Sequence, residues 1–223
     1  MQSTSDSNPP SGMAMETAER WLERHGWLRS VAGEDNFRRA CKAVMHYSSG
    51  RKNGLLLLGD PGCGKTFLAR CLYDETKSRL RPDEDIDRKV WIDCCELASL
   101  KRAASPDDAR MLGLTKEDGT ERDWEQKIAF LDDIGNERML THYGTTYNLV
   151  SDFILRFYNE WKEPYDERMY GPMQFGNHFV ATSNFSEEEL DQHFGTRVMD
   201  RVFDMCAVVH LTGPSRRNLT ILD

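Results

Sequence analysis

The residues in this 223-residue chain best spaced to do chemistry begin at Gly59. From there the chain runs Gly59-Asp60-Pro61-Gly62-Cys63-Gly64-Lys65-Thr66, which satisfies the spacing G-x-x-x-x-G-K-[ST]. A phosphate chain needs several N–H donors converging on it, and only a tight, glycine-permissive backbone can present them. Pro61, Gly62 and Gly64 allow that turn, and the helix that follows adds the positive end of its dipole. Lys65 is placed to reach β- and γ-phosphates, and the Thr66 hydroxyl to ligate Mg²⁺. The candidate nucleotide-binding residues are Gly59, Asp60, Pro61, Gly62, Cys63, Gly64, Lys65, Thr66 and Phe67.

A second group lies further on. Ile128-Ala129-Phe130-Leu131 is followed by Asp132-Asp133, four apolar residues and then an acid. At the C-terminal edge of a parallel strand, Asp132 would hold Mg²⁺ and Asp133 would orient or deprotonate an attacking water. Ala181-Thr182-Ser183-Asn184 closes another apolar run, and Asn184 could position that water if the two strands are neighbours. As a turn-starting asparagine before a helix it has an equally sound local reading. Arg197 and Arg201 stand four apart, on one face of a helix. Read alone they are a solvated face; aimed at a neighbouring subunit's γ-phosphate, a guanidinium is worth ~10³ or more in rate.

These groups need a scaffold. Leu55 to Leu58, bounded by glycines, reads as a strand buried on both faces of a parallel sheet. Further strands are expected at 90–93, 128–131, 178–182 and 206–211. Helices are expected from Glu16 to Ser30, from Asn36 to Tyr47 with Asp35 as N-cap, after the glycine-rich loop, at 96–104, and at 147–161. Two more are expected at 187–194, opened by a Ser186/Glu189 capping box, and at 196–204. Strands alternating with helices imply a parallel, right-handed α/β sheet. The aromatic stripe of 147–161 reads as core. The polar stretch 105–124 reads as a long surface excursion, of a kind that is often functional.

Composition narrows the class. Residues 1–12 are polar and Pro/Ser-rich, with neither the basic nor the apolar region of a secretory leader, and are expected to be disordered. No run is long and apolar enough for a membrane span. A net charge of −8 argues against coating nucleic acid by bulk charge, though not against a local basic strip. Six cysteines form no C-x-x-C pair, and Cys63 lies inside the loop, where a disulfide would obstruct it. A reducing, cytoplasmic setting follows. The expected organisation is a disordered tail at 1–14, a short helical segment at 15–34 and one catalytic domain at 35–223.

Taken together, GDPGCGKT, IAFLDDIGNE, ATSN, GTRVMDR and the late GPSRR resemble the DnaC/IstB-like branch of the AAA+ ATPases, from Asn36 to Arg217. That branch contains loaders of the replicative DNA helicase and ATPase subunits of DNA transposition. The resemblance implies a P-loop NTPase fold, three layers α/β/α around a parallel five-stranded sheet, without a C-terminal helical lid. It implies ATP and Mg²⁺ as cofactors, with Asp132 the Mg²⁺ acid, Asp133 where most AAA+ proteins carry a catalytic glutamate, and Asn184 as sensor. Arg201 matches an arginine finger acting in trans within a homo-oligomer, Arg197 its companion, and Arg217 a nucleotide-facing arginine after Ser215. The implied partners are further copies of the chain, a replicative helicase or a transposase, and DNA, single-stranded for a loader. The aspartate at 133 is one methylene shorter than glutamate and implies slow hydrolysis. Loaders also carry an N-terminal helicase-binding domain, for which the segment before position 35 is too short. The alternatives are an IstB-like ATPase acting on duplex DNA and an ATP-binding adaptor with little turnover. A small-molecule kinase is disfavoured, because no arginine-rich lid or acceptor site follows the loop.

Overall fold

The computed structural model describes residues 14–49, 54–79, 89–94, 128–137, 139–142, 145–162, 178–213 and 215. The tail, the helix expected at 96–104, the excursion at 105–124 and Arg217 lie outside the described residues.

Strand β1 (Gly54–Leu58) is buried along its whole length. Its pleat sends Leu55 and Leu57 into one apolar cluster and Leu56 and Leu58 into another, on opposite faces of the sheet. Each fully buried leucine contributes about 1.5–3 kcal/mol relative to exposure. That two-sided demand is why four consecutive leucines make a central strand. Strand β1 pairs in parallel with β6 (His178–Ser183) on one side and β7 (Cys206–His210) on the other. Strand β6 pairs with β3 (Ile128–Asp132), and β3 with β2 (Lys89–Asp93). The sheet therefore runs β2-β3-β6-β1-β7, all parallel, the fold class the alternating pattern implies. A separate antiparallel ribbon, β4 (Leu140–His142) with β5 (Thr145–Tyr147), was not anticipated; strands of three residues are too short to show a period.

One face is covered by α1 (Met15–Arg24), α3 (Glu34–Ser48) and α4 (Lys65–Arg79), whose Trp21, Leu22, Phe37, Val44, Leu68 and Leu72 join Leu55, Leu57, Phe130 and Val180. The other is covered by α5 (Leu149–Lys162), α6 (Glu187–Phe194) and α7 (Thr196–Met205). Here Phe153, Phe157, Leu190 and Met199 join Leu56, Leu131 and Ala181. The aromatic stripe of α5 is core, as its spacing suggests.

Three boundaries differ from the sequence reading. The continuous helix expected from Glu16 to Ser30 is broken. Helix α1 ends at Arg24, Gly26 turns at φ +81°, and α2 (Arg29–Ala32) follows. The break is a Schellman closure, with Gly26 N–H donating to Glu23 O at 3.0 Å and Trp27 N–H to Leu22 O at 2.9 Å; it drives Trp27 into the core. Helix α3 starts two residues early, from Gly33 at φ +78°, so Asp35 lies in its first turn instead of capping it. Helix α5 starts at Leu149, not Tyr147, because the Asn148 side chain caps it by accepting from Ser151 N–H at 3.0 Å. Helix α6 carries the expected Ser186/Glu189 capping box. No described helix is long and apolar enough to cross a membrane. The described cysteines Cys41, Cys63, Cys71, Cys94 and Cys206 are buried.

Candidate nucleotide site

Because β3 and β1 both flank β6, their C-terminal ends and that of β6 meet at one sheet edge. Asp132 and Asp133, the Gly59–Thr66 loop and Asn184 are all delivered there. Of these, Gly62, Gly64, Lys65, Thr66, Asp132, Asp133 and Asn184 line a cleft of about 700 Å³, together with Phe67.

At its floor, Thr66 Oγ1 donates to Asp132 Oδ1 at 2.9 Å, and Thr182 Oγ1 donates to the same oxygen at 2.6 Å. Asp133 N–H returns a bond to Thr182 Oγ1 at 2.9 Å. Burial pushes the Asp132 carboxyl above the usual carboxylate range. The Thr182 and Thr66 hydroxyls oppose that shift, and the neighbouring Asp133 and Asp93 charges add to it. Lys65 Nζ donates to Gly59 O at 2.7 Å, Asp60 O at 2.9 Å and Asn184 Oδ1 at 2.8 Å. The other end of the Asn184 amide donates to Asp133 Oδ1 at 2.9 Å. Asn184 thus bridges the ammonium and the second acid. Asp133 is the one non-glycine among the described residues with positive φ, at 61°, which swings its carboxylate away from the strand direction and toward Asn184.

The donor set suits a metal–triphosphate. Thr66 and Asp132 offer hard oxygens side by side of the kind Mg²⁺ prefers, next to an ammonium that would pair with phosphate. The loop itself is tightly backed. A Cβ on Gly59, at φ +142°, would collide with the Leu211 carbonyl, and one on Gly62 with the Ser215 side chain. The chain after β7 therefore packs directly against the loop.

Four of the cleft's walls escaped the sequence reading. Gly26 and Val31 bring in the segment between α1 and α3, Arg70 lies one turn beyond Thr66 on α4, and Asp93 ends β2 in register with Asp132. Phe67, on the same wall, is 44% exposed and has its ring 5.9 Å from that of Trp27. Arg70 stacks over Trp91 at 3.5 Å. Asn36, buried at the start of α3, donates from Nδ2 to Cys63 O at 3.3 Å and accepts Thr212 N–H at 3.0 Å, so one amide staples the loop to the segment after β7. Of these, only the Arg24-His25-Gly26 helix ending had a sequence signal.

The two arginines are not brought to this cleft within the chain. Arg197 is exposed on α7. Arg201 lies 4.8 Å above the ring of Tyr158, whose hydroxyl donates to Asp204 Oδ2 at 2.5 Å.

No protein-family model and no curated protein sequence matches this chain. Among solved structures it is similar to AMPPCP-bound DnaA from Aquifex aeolicus, at 13% identity and a TM-score of 0.47 over 83% of this chain and 49% of that one. It is also similar to the DnaC helicase loader, at 16% identity and a TM-score of 0.46 over 82% of this chain and 91% of that one. The chain spans about half the length of that DnaA chain. Likeness at this level assigns no function.

Proposed function

We propose that this chain is an ATP-binding and ATP-hydrolysing AAA+ protein of the helicase-loader type, acting as an oligomeric switch in DNA replication. One observation carries the ATPase part. Lys65, Thr66, Asp132, Asp133 and Asn184, drawn from three strand ends and up to 119 positions apart, form a single hydrogen-bonded network linked through Thr182. The loader part rests on the sequence resemblance over residues 36–217.

The chain's own groups divide the work by chemistry. The loop N–H groups and Lys65 would hold the phosphates, and Thr66 and Asp132 would hold Mg²⁺, which would supply charge neutralisation there. Asn184 fixes the orientation of Asp133, and Asp133 accepts a proton from the attacking water. Its reach is one methylene shorter than a glutamate's, so turnover is slow. Arg201, and Arg197 beside it, serve the γ-phosphate of the next copy, which makes hydrolysis dependent on assembly.

The test mixes Lys65→Ala with Arg201→Ala. Each variant alone should be nearly inactive, and their mixture should recover turnover at interfaces that pair an intact loop with an intact arginine. Full activity in either variant alone removes the shared site. Stimulation by single-stranded DNA and capture of a replicative helicase support the loader. Stimulation by duplex DNA alone, with capture of a transposase, moves the assignment to the transposition branch. Binding without turnover under every condition leaves an adaptor.

A further inference from the structure

Glu137 closes the turn that follows the two acids, and its side chain is buried. Its carboxylate collects three donors from three elements. Gly135 N–H donates to Oε2 at 2.7 Å, within the acid turn itself. Asn148 Nδ2 donates to Oε1 at 3.0 Å, from the residue that caps α5. His193 Nε2 stands 2.7 Å from the same oxygen, on the last turn of α6. The turn is held to Asn184's neighbours as well. Ile134 N–H donates to Thr182 O at 2.8 Å, Ser183 Oγ donates to Ile134 O at 2.7 Å, and the Phe185 ring is packed so tightly on Gly135 that an added Cβ would lie 2.5 Å from it. Phe185 in turn meets the His193 ring edge-on, 6.4 Å between centroids.

A carboxylate removed from water is costly unless its lone pairs are filled, and filling them from three elements makes those elements move together. Helix α6 leads through Gly195 into α7, and α5 carries Tyr158, on which Arg201 rests. The acid turn, which also holds the asparagine turn, the cap of α5 and the last turn of α6, which leads into α7, are thus joined at one buried side chain. None of the three donors touches the Gly59–Thr66 loop.

We propose that Glu137, with His193, is a positioning device that transmits occupancy of the Asp133–Asn184 corner to α6 and α7, and so to the arginine a neighbouring copy would use. This rests on the nucleotide reading above, but it assigns the coupling to a pair outside the cleft lining. The device acts through other residues and touches no substrate, so it governs turnover and the response of α7 while leaving nucleotide affinity to the loop.

The test is hydrogen exchange on the full chain with and without AMPPCP and Mg²⁺, alongside steady-state turnover. In the unaltered protein the analogue should slow exchange at both 59–66 and 187–205. His193→Ala should keep the first protection and lose the second, with kcat lowered about 10- to 100-fold at unchanged KM. His193→Gln, which restores an N–H toward the carboxylate, should recover both readouts. Should the alanine variant fail to fold, Glu137→Gln takes its place, because the amide oxygen can still accept Gly135 N–H while the charge and one acceptor are lost. Equal protection of 187–205 with and without the histidine, or protection there in neither, overturns the coupling and leaves the nucleotide site standing. Absence of protection at 59–66 in the unaltered protein overturns the nucleotide reading, and the coupling with it.

Discussion

Asp133 combines a left-handed backbone with a carboxylate held by Asn184. Asparagine tolerates that backbone region nearly as well as aspartate does, so Asp133→Asn tests the charge without disturbing the turn. Turnover should fall about 10²- to 10⁴-fold, the usual worth of a positioned general base, while nucleotide affinity stays within a few-fold in an equilibrium binding assay. Asp132 gives a pH prediction of definite sign. Its carboxyl is raised in the fold, chiefly by burial, so the native state holds that proton more tightly than the unfolded chain does. The group costs no stability below its unfolded pKa, and the cost of a buried charge grows as pH rises through the folded value. Thermal unfolding followed from acid to neutral pH should therefore show Asp132→Asn gaining on the native protein as pH rises. Proton and metal compete for the same oxygens, so Mg²⁺-dependent nucleotide binding should weaken on acidification at a higher pH than an ordinary aspartate would dictate. Lys65, Thr66, Asp132 and Asn184 were legible as residues because each has a fixed offset from a strand end. Asn36 was not, and Glu137 stood out only as part of the IAFLDDIGNE motif, without a role. A buried amide or carboxylate announces itself only by its partners, which lie 27 and 176 positions from Asn36 and, for Glu137, as far as 56 away at His193.

At the scale of elements, the turn between β1 and α4 is held from behind. In Gly59→Ala the new methyl group would meet the Leu211 carbonyl at a backbone angle unsuited to any side chain. A loss of about 1–3 kcal/mol in denaturant unfolding is expected, with nucleotide binding reduced in parallel. Asn36→Ala removes both ends of the staple and leaves Thr212 N–H without its acceptor, a cost of about 1–3 kcal/mol by the same measurement. Most elements could be read from periodicity, because burial on two faces dictates Leu55–Leu58 and burial on one face dictates the stripe of α5. The break after Arg24 was missed because the apolar spacing of Trp21, Leu22 and Leu28 continues past it. Tertiary demand for Trp27, which is fully buried, overrides the helical continuation. Gly33 likewise starts α3 by backbone geometry, although the side chain at 35 looked like the cap.

For the whole molecule, the parallel sheet and its two helical layers follow from alternation, but the strand order does not. Order depends on which crossovers pack, and the adjacency of β3 and β6 is what turns scattered polar residues into one cleft. The packing of α1 and α2 against the main core also makes the N-terminal segment a wall of that cleft through Gly26 and Val31. Removal of residues 1–33 should weaken nucleotide binding about tenfold or more in a titration, beyond any loss of stability, because part of the apolar lining goes with it.

The sheet order bears on the life of the nascent chain. Strand β1 is made more than a hundred residues before either of its partners, β6 and β7. Until then its four leucines have no ladder and no completed layer to enter, and pairings this distant in sequence close slowly. The glycine-rich loop is backed by Leu211, Thr212 and Ser215 through Gly59, Asn36 and Gly62, so its support is made only after β7. Ribosome-bound chains stalled before β7 should expose apolar surface, recruit chaperones and fail to retain nucleotide, whereas chains extended well past Ser215 should retain it. Competence to bind is thereby tied to the completion of β7 and the segment that backs the loop.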